Sequence, residues 1–588
     1  MAPAGNEELT GTGPSAAERE PADVAILDGA SGGEETDQQP LAGVAPGLAL
    51  TPEHEGEASL ESFAMLPAEA RETHGEIDQF NRLALAKMAS GDYPAAIHAL
   101  RRTLALVPNS AAAHGNLALA LWRSKQPILA EIHAQRAVII DPNYVRAHRT
   151  LAELLRERGA PDALGEYRRL LALDPDNFMA HNNAGLVLAG LDRRSEADAE
   201  FARALELRPD NPYVRFNQLA LWPDGDLVEA ADCCRRALQQ RPADADTMTN
   251  LGVVLQFSGR YDDALSAYER ATAIDPQHAK ARFNLSLLLL LRGDYPRGLR
   301  EYEHRWHLGK AKKPRMPRAQ WQGEDVAGKT VLLRSEQGLG DTIQFLRYAP
   351  MVAERGARVV LRLERPLVRL AASLPGQVAV SPIGSPLPRF DVWSPMLDLP
   401  RIFDTRADSI PAHTPYLGAR VAIRQRWHKR LENVSGLKAG LVWAGSPTHI
   451  NDFRRSIDLD RLKPVLAVPG VSFLSLQVGP RAGDVAALPP GTIADLSAEL
   501  TDLAETAGAI LNLDLVVTVD TAVAHLAGAL GKPVWVMLPF SPDWRWMIER
   551  EDSPWYPTLR LYRQRAPSDW DGVIARVTAD LAALAAER

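Results

Sequence analysis

Six prolines constrain this chain more than any other feature. Pro108, Pro142, Pro175, Pro209, Pro242 and Pro276 are separated by 34, 33, 34, 33 and 34 residues. Proline cannot continue a helix and pushes the residue before it out of helical backbone geometry. A long helix is therefore excluded, and the region is cut into short, equal units. Twelve residues before each proline stands an alanine: Ala96, Ala130, Ala163, Ala197, Ala230 and Ala264. The fragments "GDYPAAIHALRRTLALVP" (91–108) and "GRYDDALSAYERATAIDP" (259–276) show the unit best. Each reads as two amphipathic helices joined at a glycine turn. The alanine allows close approach, and the proline ends the second helix. Such units bury their apolar faces only against neighbours, which predicts a helical solenoid.

The period resembles the tetratricopeptide repeat, with about seven units over residues 77–310. The resemblance implies a right-handed superhelix whose concave face binds peptides or partner proteins. Eight residues after five of the six prolines stands an asparagine: Asn116, Asn183, Asn217, Asn250 and Asn284, with Thr150 the exception. An amide both donates and accepts, so this column would hold an extended acceptor peptide by its backbone. It is similar to the asparagine ladder of O-linked N-acetylglucosamine transferases. The alternative is an asparagine that suits the repeat or packs between helices.

Charge sets the N-terminal segment apart. Residues 1–75 hold 15 Asp/Glu and 2 Lys/Arg, a net of −13, whereas the rest holds 59 acids and 64 bases, a net of +5. The segment is acidic and poor in aromatics, so it is expected to remain disordered. Its sign argues against a nucleic-acid partner. Cys233 and Cys234 are adjacent and offer neither a disulfide framework nor metal-ligand spacing. The apolar run "LSLLLLLRG" (285–293) is too short to span a bilayer. "MAPAGNEELT" has no basic start or apolar core of a signal peptide. These features predict a cytoplasmic protein without membrane insertion.

A basic, proline-containing connection at 311–325 leads into a different pattern. Continuous apolar strands such as "TVLLR" (330–334), "ARVVLRL" (357–363), "KAGLVWAG" (438–445), "VSFLSLQ" (471–477), "LDLVVTVD" (513–520) and "KPVWVMLPF" (532–540) alternate with helical runs. That alternation indicates parallel sheets covered on both faces. The expected fold is therefore α plus α/β: a repeat solenoid followed by two Rossmann-like lobes, 326–430 and 431–588, with a cleft between them. Single helices are expected near 341–355 and 501–511. A last helix near 570–587 is expected to pack back across the lobes.

Two stretches carry candidate chemistry. In "LRSEQGLGDTIQF" (333–345) a strand enters a turn with Gly338 and Gly340, then Asp341 at the start of a helix. A carboxylate there is awkward for a phosphate and sensible for a base. Ile343 occupies the third glycine position of a dinucleotide fingerprint, which is therefore incomplete. In "VTVDTAVAHLAGALGKPVW" (517–535) a buried strand ends at Asp520 and a helix opens at Thr521, with His525 one turn in. Helix-start N–H groups favour a phosphate, and open α/β sheets bind ligands at strand carboxyl ends.

The second stretch resembles the donor-site motif of glycosyltransferase family 9, the heptosyltransferase-like enzymes, and "GLGDTIQFLRYAP" matches that family's first-lobe loop. The resemblance covers about 320–588. It implies a GT-B fold, a nucleotide-sugar co-substrate, no cofactor and no metal. It places the proposed catalytic base on Asp341; His525, by its own position one turn into the helix, is expected to donate to a diphosphate or stabilise a leaving oxyanion. Where heptosyltransferases usually carry a lysine, this chain has "LVWAGSPTHINDFRRSIDL" (441–459). Ser446, Asn451, Arg454 and Arg455 are the polar candidates there for donor binding, and heptose is not implied. Asp543 and Arg545 in "DWRWMIEREDSPWYP" (543–557) are further donor-site candidates. Repeats followed by such a domain occur in proposed flagellin glycosyltransferases. The combined expectation is a bacterial glycosyltransferase acting on a protein or peptide acceptor, flagellin-like acceptors included. The alternatives are a non-catalytic scaffold with a degenerate transferase domain and a transferase acting on a glycan.

Overall fold

The computed structural model describes residues 68–587 except 192, 210, 221–224, 309–312, 377, 448 and 450. The expectation of a disordered acidic segment lies outside the described residues. The chain divides into two compact units, one containing residues 26–251 and the other residues 252–588.

The described part of the first unit is helical. Its helices are α1 (Ala68–Ala89), α2 (Tyr93–Leu106), α3 (Ala111–Arg123), α4 (Pro127–Ile140), α5 (Val145–Glu157), α6 (Ala163–Leu173), α7 (Phe178–Gly190), α8 (Arg194–Leu207), α9 (Pro212–Ala220) and α10 (Leu227–Gln240). Helices α2, α4, α6, α8 and α10 each end two residues before a periodic proline, leaving one non-helical cap residue between. The periodic alanines Ala96, Ala130, Ala163, Ala197 and Ala230 are completely buried. Gly185 makes the close packing explicit: a Cβ there would lie 2.7 Å from the Phe201 ring of the paired helix.

The asparagine column differs from the open ladder expected. Asn116, Asn183 and Asn217 are buried and Asn250 is half-buried. The Asn217 amide donates to Asn182 (2.9 Å), Asn182 donates to Asn183 (2.9 Å), and Asn183 donates to Glu153 (2.6 Å). Buried amides require partners, and adjacent repeats supply them. A peptide would therefore have to exchange these bonds rather than meet waiting ones.

Helix α11 (Ala245–Phe257) leads into the second unit, which continues with α12 (Tyr261–Ile274), α13 (Ala279–Leu291), α14 (Tyr295–Glu301) and a 3₁₀ turn, Tyr302–His307. Among the described residues, seven helical pairs thus precede the α/β part. Asn284 is buried on α13. The last pair is fastened to the first sheet's loops by Arg305, which bonds both Glu336 (2.8 Å) and Asp398 (2.6 Å). Their side chains are 3%, 9% and 2% exposed, so this is an ion triad removed from water. The Tyr302 hydroxyl donates to Gln337 (2.9 Å), next in the same loop.

The first sheet comprises β1 (Thr330–Arg334), β2 (Arg358–Leu363), β3 (Val378–Pro382) and β4 (Val392–Pro395), all parallel in the order β3-β2-β1-β4. The second comprises β5 (Leu437–Val442), β6 (Val471–Ser475), β7 (Ala494–Asp495), β8 (Leu515–Val519), β9 (Val534–Leu538) and β10 (Leu559–Arg563). It is also parallel, in the order β10-β9-β8-β5-β6-β7. Every residue of β8 is buried, as a strand covered on both faces requires. Part of the connecting stretch belongs to the first sheet's edge: the Trp321 N–H donates to the Trp393 carbonyl (2.7 Å).

Three details depart from expectation. The helix near 341–355 is two helices, α15 (Leu339–Phe345) and α16 (Tyr348–Glu354). Pro350 is tolerated only in the first turn of a helix, so a single helix through it is excluded. Helix α17 (Val421–Leu431), from the nominal first lobe, packs through Ile423 and Trp427 against Gly508 of α18 (Leu503–Leu511) in the second. The last helix does not reach back across the lobes as expected. Val573, Ile574, Val577 and Leu581 of Trp570–Ala586 join the second sheet's core with Leu437, Val465 and Leu515.

Candidate active site between the two sheets

The two candidate motifs meet. Helix α15, after β1, lies against α19 (Ala522–Ala529), after β8. A Cβ on Gly340 would lie 2.9 Å from the His525 ring and 3.4 Å from Ala522. Only glycine allows this approach. Gly338 is the N-cap of α15, and its N–H donates to Asp341 (2.9 Å), one half of a capping box. Thr521 caps α19 through a bond from the Val523 N–H (3.3 Å) to its hydroxyl, and Asp520 precedes it. His525 Nδ1 bonds the Tyr556 hydroxyl (3.0 Å), and its ring stacks on Trp546 at 5.1 Å. Both contacts fix the imidazole plane.

Arg545 occupies the centre of this arrangement. It ion-pairs with Asp341, bonds Asp543 (2.9 Å) and donates from Nε to Gln344 (2.7 Å). The guanidinium also lies over Trp544 at 4.4 Å. Asp543 and Arg545, expected at the donor site, pair with each other, and the guanidinium's three nitrogens are engaged by the protein, which orients both carboxylates. The Arg545 contact fixes the orientation of the Asp341 carboxylate.

The region expected to replace the family's lysine is also occupied internally. Arg454 lies over Phe257 and Phe453 at 4.4 and 4.9 Å, and burial holds its pKa at about 10. Arg455 bonds Asp452 (3.2 Å), close beneath Gly445. Ser446 is exposed and Asn451 is half-buried. The helix Asp452–Arg455 therefore holds its arginines by packing and pairing, which differs from the free phosphate-binding cations expected.

Several residues in the site were not singled out by sequence. Tyr556 orients His525. Gln344 is fully buried and bonds Arg545. Arg347 donates to the Trp555 carbonyl (2.8 Å) and the Tyr416 hydroxyl (3.1 Å), tying α15's end to the second sheet's loops. Gln344 and Arg347 lie within the "GLGDTIQFLRYAP" stretch, which was the available signal. Tyr556 lies within the "DWRWMIEREDSPWYP" stretch, which was the available signal for it.

The fold and the paired motifs define a class: a tetratricopeptide-repeat protein with a glycosyltransferase-like α/β domain. Tetratricopeptide-repeat models match residues 81–145, 151–212 and 249–307, and another covers 219–277. The model for glycosyltransferase family 9 (heptosyltransferase) matches residues 481–537, which include Asp520, Thr521 and His525 but not Asp341. Along most of its length the chain is similar to Protein FlbA of Caulobacter vibrioides, with 27% identity over 537 residues, 86% of this chain and 84% of that protein. The type IV pilus assembly protein PilF of Pseudomonas aeruginosa is 28% identical over 149 residues, 24% of this chain and 58% of that one. A crystal structure of a tetratricopeptide repeat protein from Parabacteroides merdae aligns at 18% identity and TM-score 0.36, over 40% of this chain and 94% of that one.

Proposed function

We propose that the protein transfers a sugar from a nucleotide-sugar donor to a protein acceptor recruited by the repeats, through a GT-B-type active site. The observation that carries this reading is the approach of Gly340 to His525, which brings two motifs from different sheets to one point. Asp341, oriented by Arg545, takes the proton from an acceptor hydroxyl as that oxygen attacks the anomeric carbon. A positioned base contributes about 10²–10⁴-fold. The N–H groups opening α19, the Thr521 hydroxyl and the oriented His525 ring receive the charge developing on the departing phosphate. The order of repeats followed by a transferase-like domain supports a protein acceptor, of which flagellin-like proteins are one class.

A thermal-shift screen of nucleotide sugars on the full chain, with mass spectrometry of lysate proteins as acceptors, tests the activity. Asp341→Asn should keep donor binding and lose transfer by about 10²-fold or more. Near-normal turnover sinks the base assignment. The engagement of Arg545 with Asp341 favours a second reading, a scaffold whose transferase domain is held inactive. In that case neither donor hydrolysis nor transfer appears with any donor.

A further inference from the structure

Helix α4 buries one side through Ala130, Ala134 and Ala137, which are completely enclosed. Its opposite side is apolar as well. Ile128, Ile132 and Ile139 are 73%, 54% and 69% exposed, and Leu129 lies beside them, exposed too. With Gln135 the three isoleucines follow a 4-3-4 spacing, so they form one stripe about 16 Å long. The solenoid does not call for this stripe. Its isoleucines stand two residues before, two after and nine after the buried Ala130. At the same three positions around Ala96, Ala163, Ala197, Ala230 and Ala264, Val228 is the only leucine, isoleucine, methionine or valine. Nor does helix formation call for it, since a β-branched residue is a poorer helix former than those a solvent face allows. Single surface aliphatics are ordinary, but a continuous stripe confined to one helix marks a contact.

Charge complementarity selects the occupant. Glu131 and Arg136 lie on opposite flanks of the stripe. Glu131 bonds Arg158 (3.0 Å), which follows α5, and Arg136 bonds Asn109 (3.3 Å), which precedes α3. Written as a heptad, Ile132 and Ile139 take the a positions, Ile128 and Gln135 the d positions, and Glu131 and Arg136 the g and e positions. Two such helices packed parallel bring each g residue beside the following e residue of the other helix. Glu131 of each copy then meets Arg136 of the other, twice over, as two-fold symmetry requires. Antiparallel packing would instead set Glu131 beside Glu131 and Arg136 beside Arg136. Branched residues at a suit a two-stranded pair, and a lone polar seam residue such as Gln135 fixes the register at a cost in stability. The seam is short, so the contact belongs to the weak, reversible class of interfaces.

We propose that the exposed face of α4 is the surface on which a second copy of this chain docks, forming a parallel, two-fold α4–α4 pair. The inference stands apart from the transferase reading, because it concerns one repeat helix alone.

Sedimentation velocity of the full chain from about 1 to 300 μM tests the contact. The weight-average sedimentation coefficient should rise with concentration towards that of a dimer. Ile132→Glu, at an exposed position, should keep the far-UV spectrum and weaken dimerisation at least about tenfold by placing carboxylates in the seam. E131R and R136E should each weaken it, and an equimolar mixture of the two should restore it, because every flanking contact is again between opposite charges. Under mild oxidation Ile128→Cys should give a disulfide-linked dimer, since a d residue faces its own copy; Cys233 and Cys234 are buried. In an antiparallel pair centred on the stripe the two thiols would stand about 16 Å apart, beyond disulfide reach. A dimer that I132E leaves intact overturns the contact. A monomer at every concentration also overturns it and leaves the face to a different protein. A mixture that fails to restore association, or an I128C chain that forms no linked dimer, overturns the parallel pairing.

Discussion

Replacing His133 by glutamate should reverse the pH response of the early repeats. Six residues after Pro108, Pro142 and Pro175 stand His114, His148 and His181, and each Nε2 bonds its proline carbonyl at 3.0, 2.8 and 3.0 Å. Each Nδ1 then meets a side chain of the paired helix. For His148 and His181 this is a glutamate, Glu166 or Glu200, at 2.6 Å. For His114 it is His133, at 2.9 Å. Burial lowers both of these histidines' pKa values, assisted by Arg136 at His114 and by His114 and Arg101 at His133. A histidine with a lowered folded pKa takes up its proton more readily when unfolded. The wild-type pair should therefore be fully stable above pH of about 6.5 and lose stability as pH falls below it.

With His133→Glu, His114 gains an ionised partner and its folded pKa rises, so its contribution is present below the unfolded value and lost as pH climbs. Replacing a neutral pair by a charge-assisted bond is worth about 1 kcal/mol here, after discounting for partial exposure. Arg101 and Arg136 favour the new carboxylate. Native-state hydrogen exchange of peptides from α3 and α4 is the assay. At pH 6 the variant should open about fivefold less often, the equivalent of about 1 kcal/mol. Faster opening, or an unchanged direction of the pH response between 5.5 and 7.5, would refute the reasoning.

Three further outcomes follow from packing. Gly340→Ala should push α15 from α19 and cost about 1–3 kcal/mol, measured by thermal unfolding, while abolishing transfer; an unshifted melt would contradict the close approach to His525. Gly185→Ala should cost a similar roughly 1–3 kcal/mol through Phe201, without changing donor binding in the thermal-shift assay. Arg305→Met leaves Glu336 and Asp398 buried without their cation, a loss of about 3–5 kcal/mol in urea unfolding, which R305M/E336Q/D398N should largely restore.

The repeats were legible because their signal is steric and local. A proline every 33 or 34 residues stops a helix wherever it occurs, and an alanine twelve residues earlier marks the contact. Parallel strands were legible from apolar runs such as "LVVTV" for the same reason. The site was only half legible. Asp341 and His525 belong to recognisable loops, but the partner of Asp341 is Arg545, 204 positions away, and nothing local encodes that pairing. The asparagine column illustrates a different limit. Its period was readable, yet the fate of each amide depended on Asn182 and Glu153, which lie outside the period. The break between α15 and α16 is encoded by Pro350, but the apolar pattern continues through it and masks the interruption.

The Arg305 triad has a consequence for exchanging parts between such proteins. The repeats end in the sequence near residue 307, yet the last pair shares buried charges with the loop ahead of Asp341. A chimera joined at 307 would pair one protein's cation with another's carboxylates inside a dry contact. A junction near residue 251, where the compact units divide, keeps Arg305, Glu336 and Asp398 on one side. The earlier repeats can then be exchanged alone, while α12 to α14 travel with the transferase-like domain as its own wall.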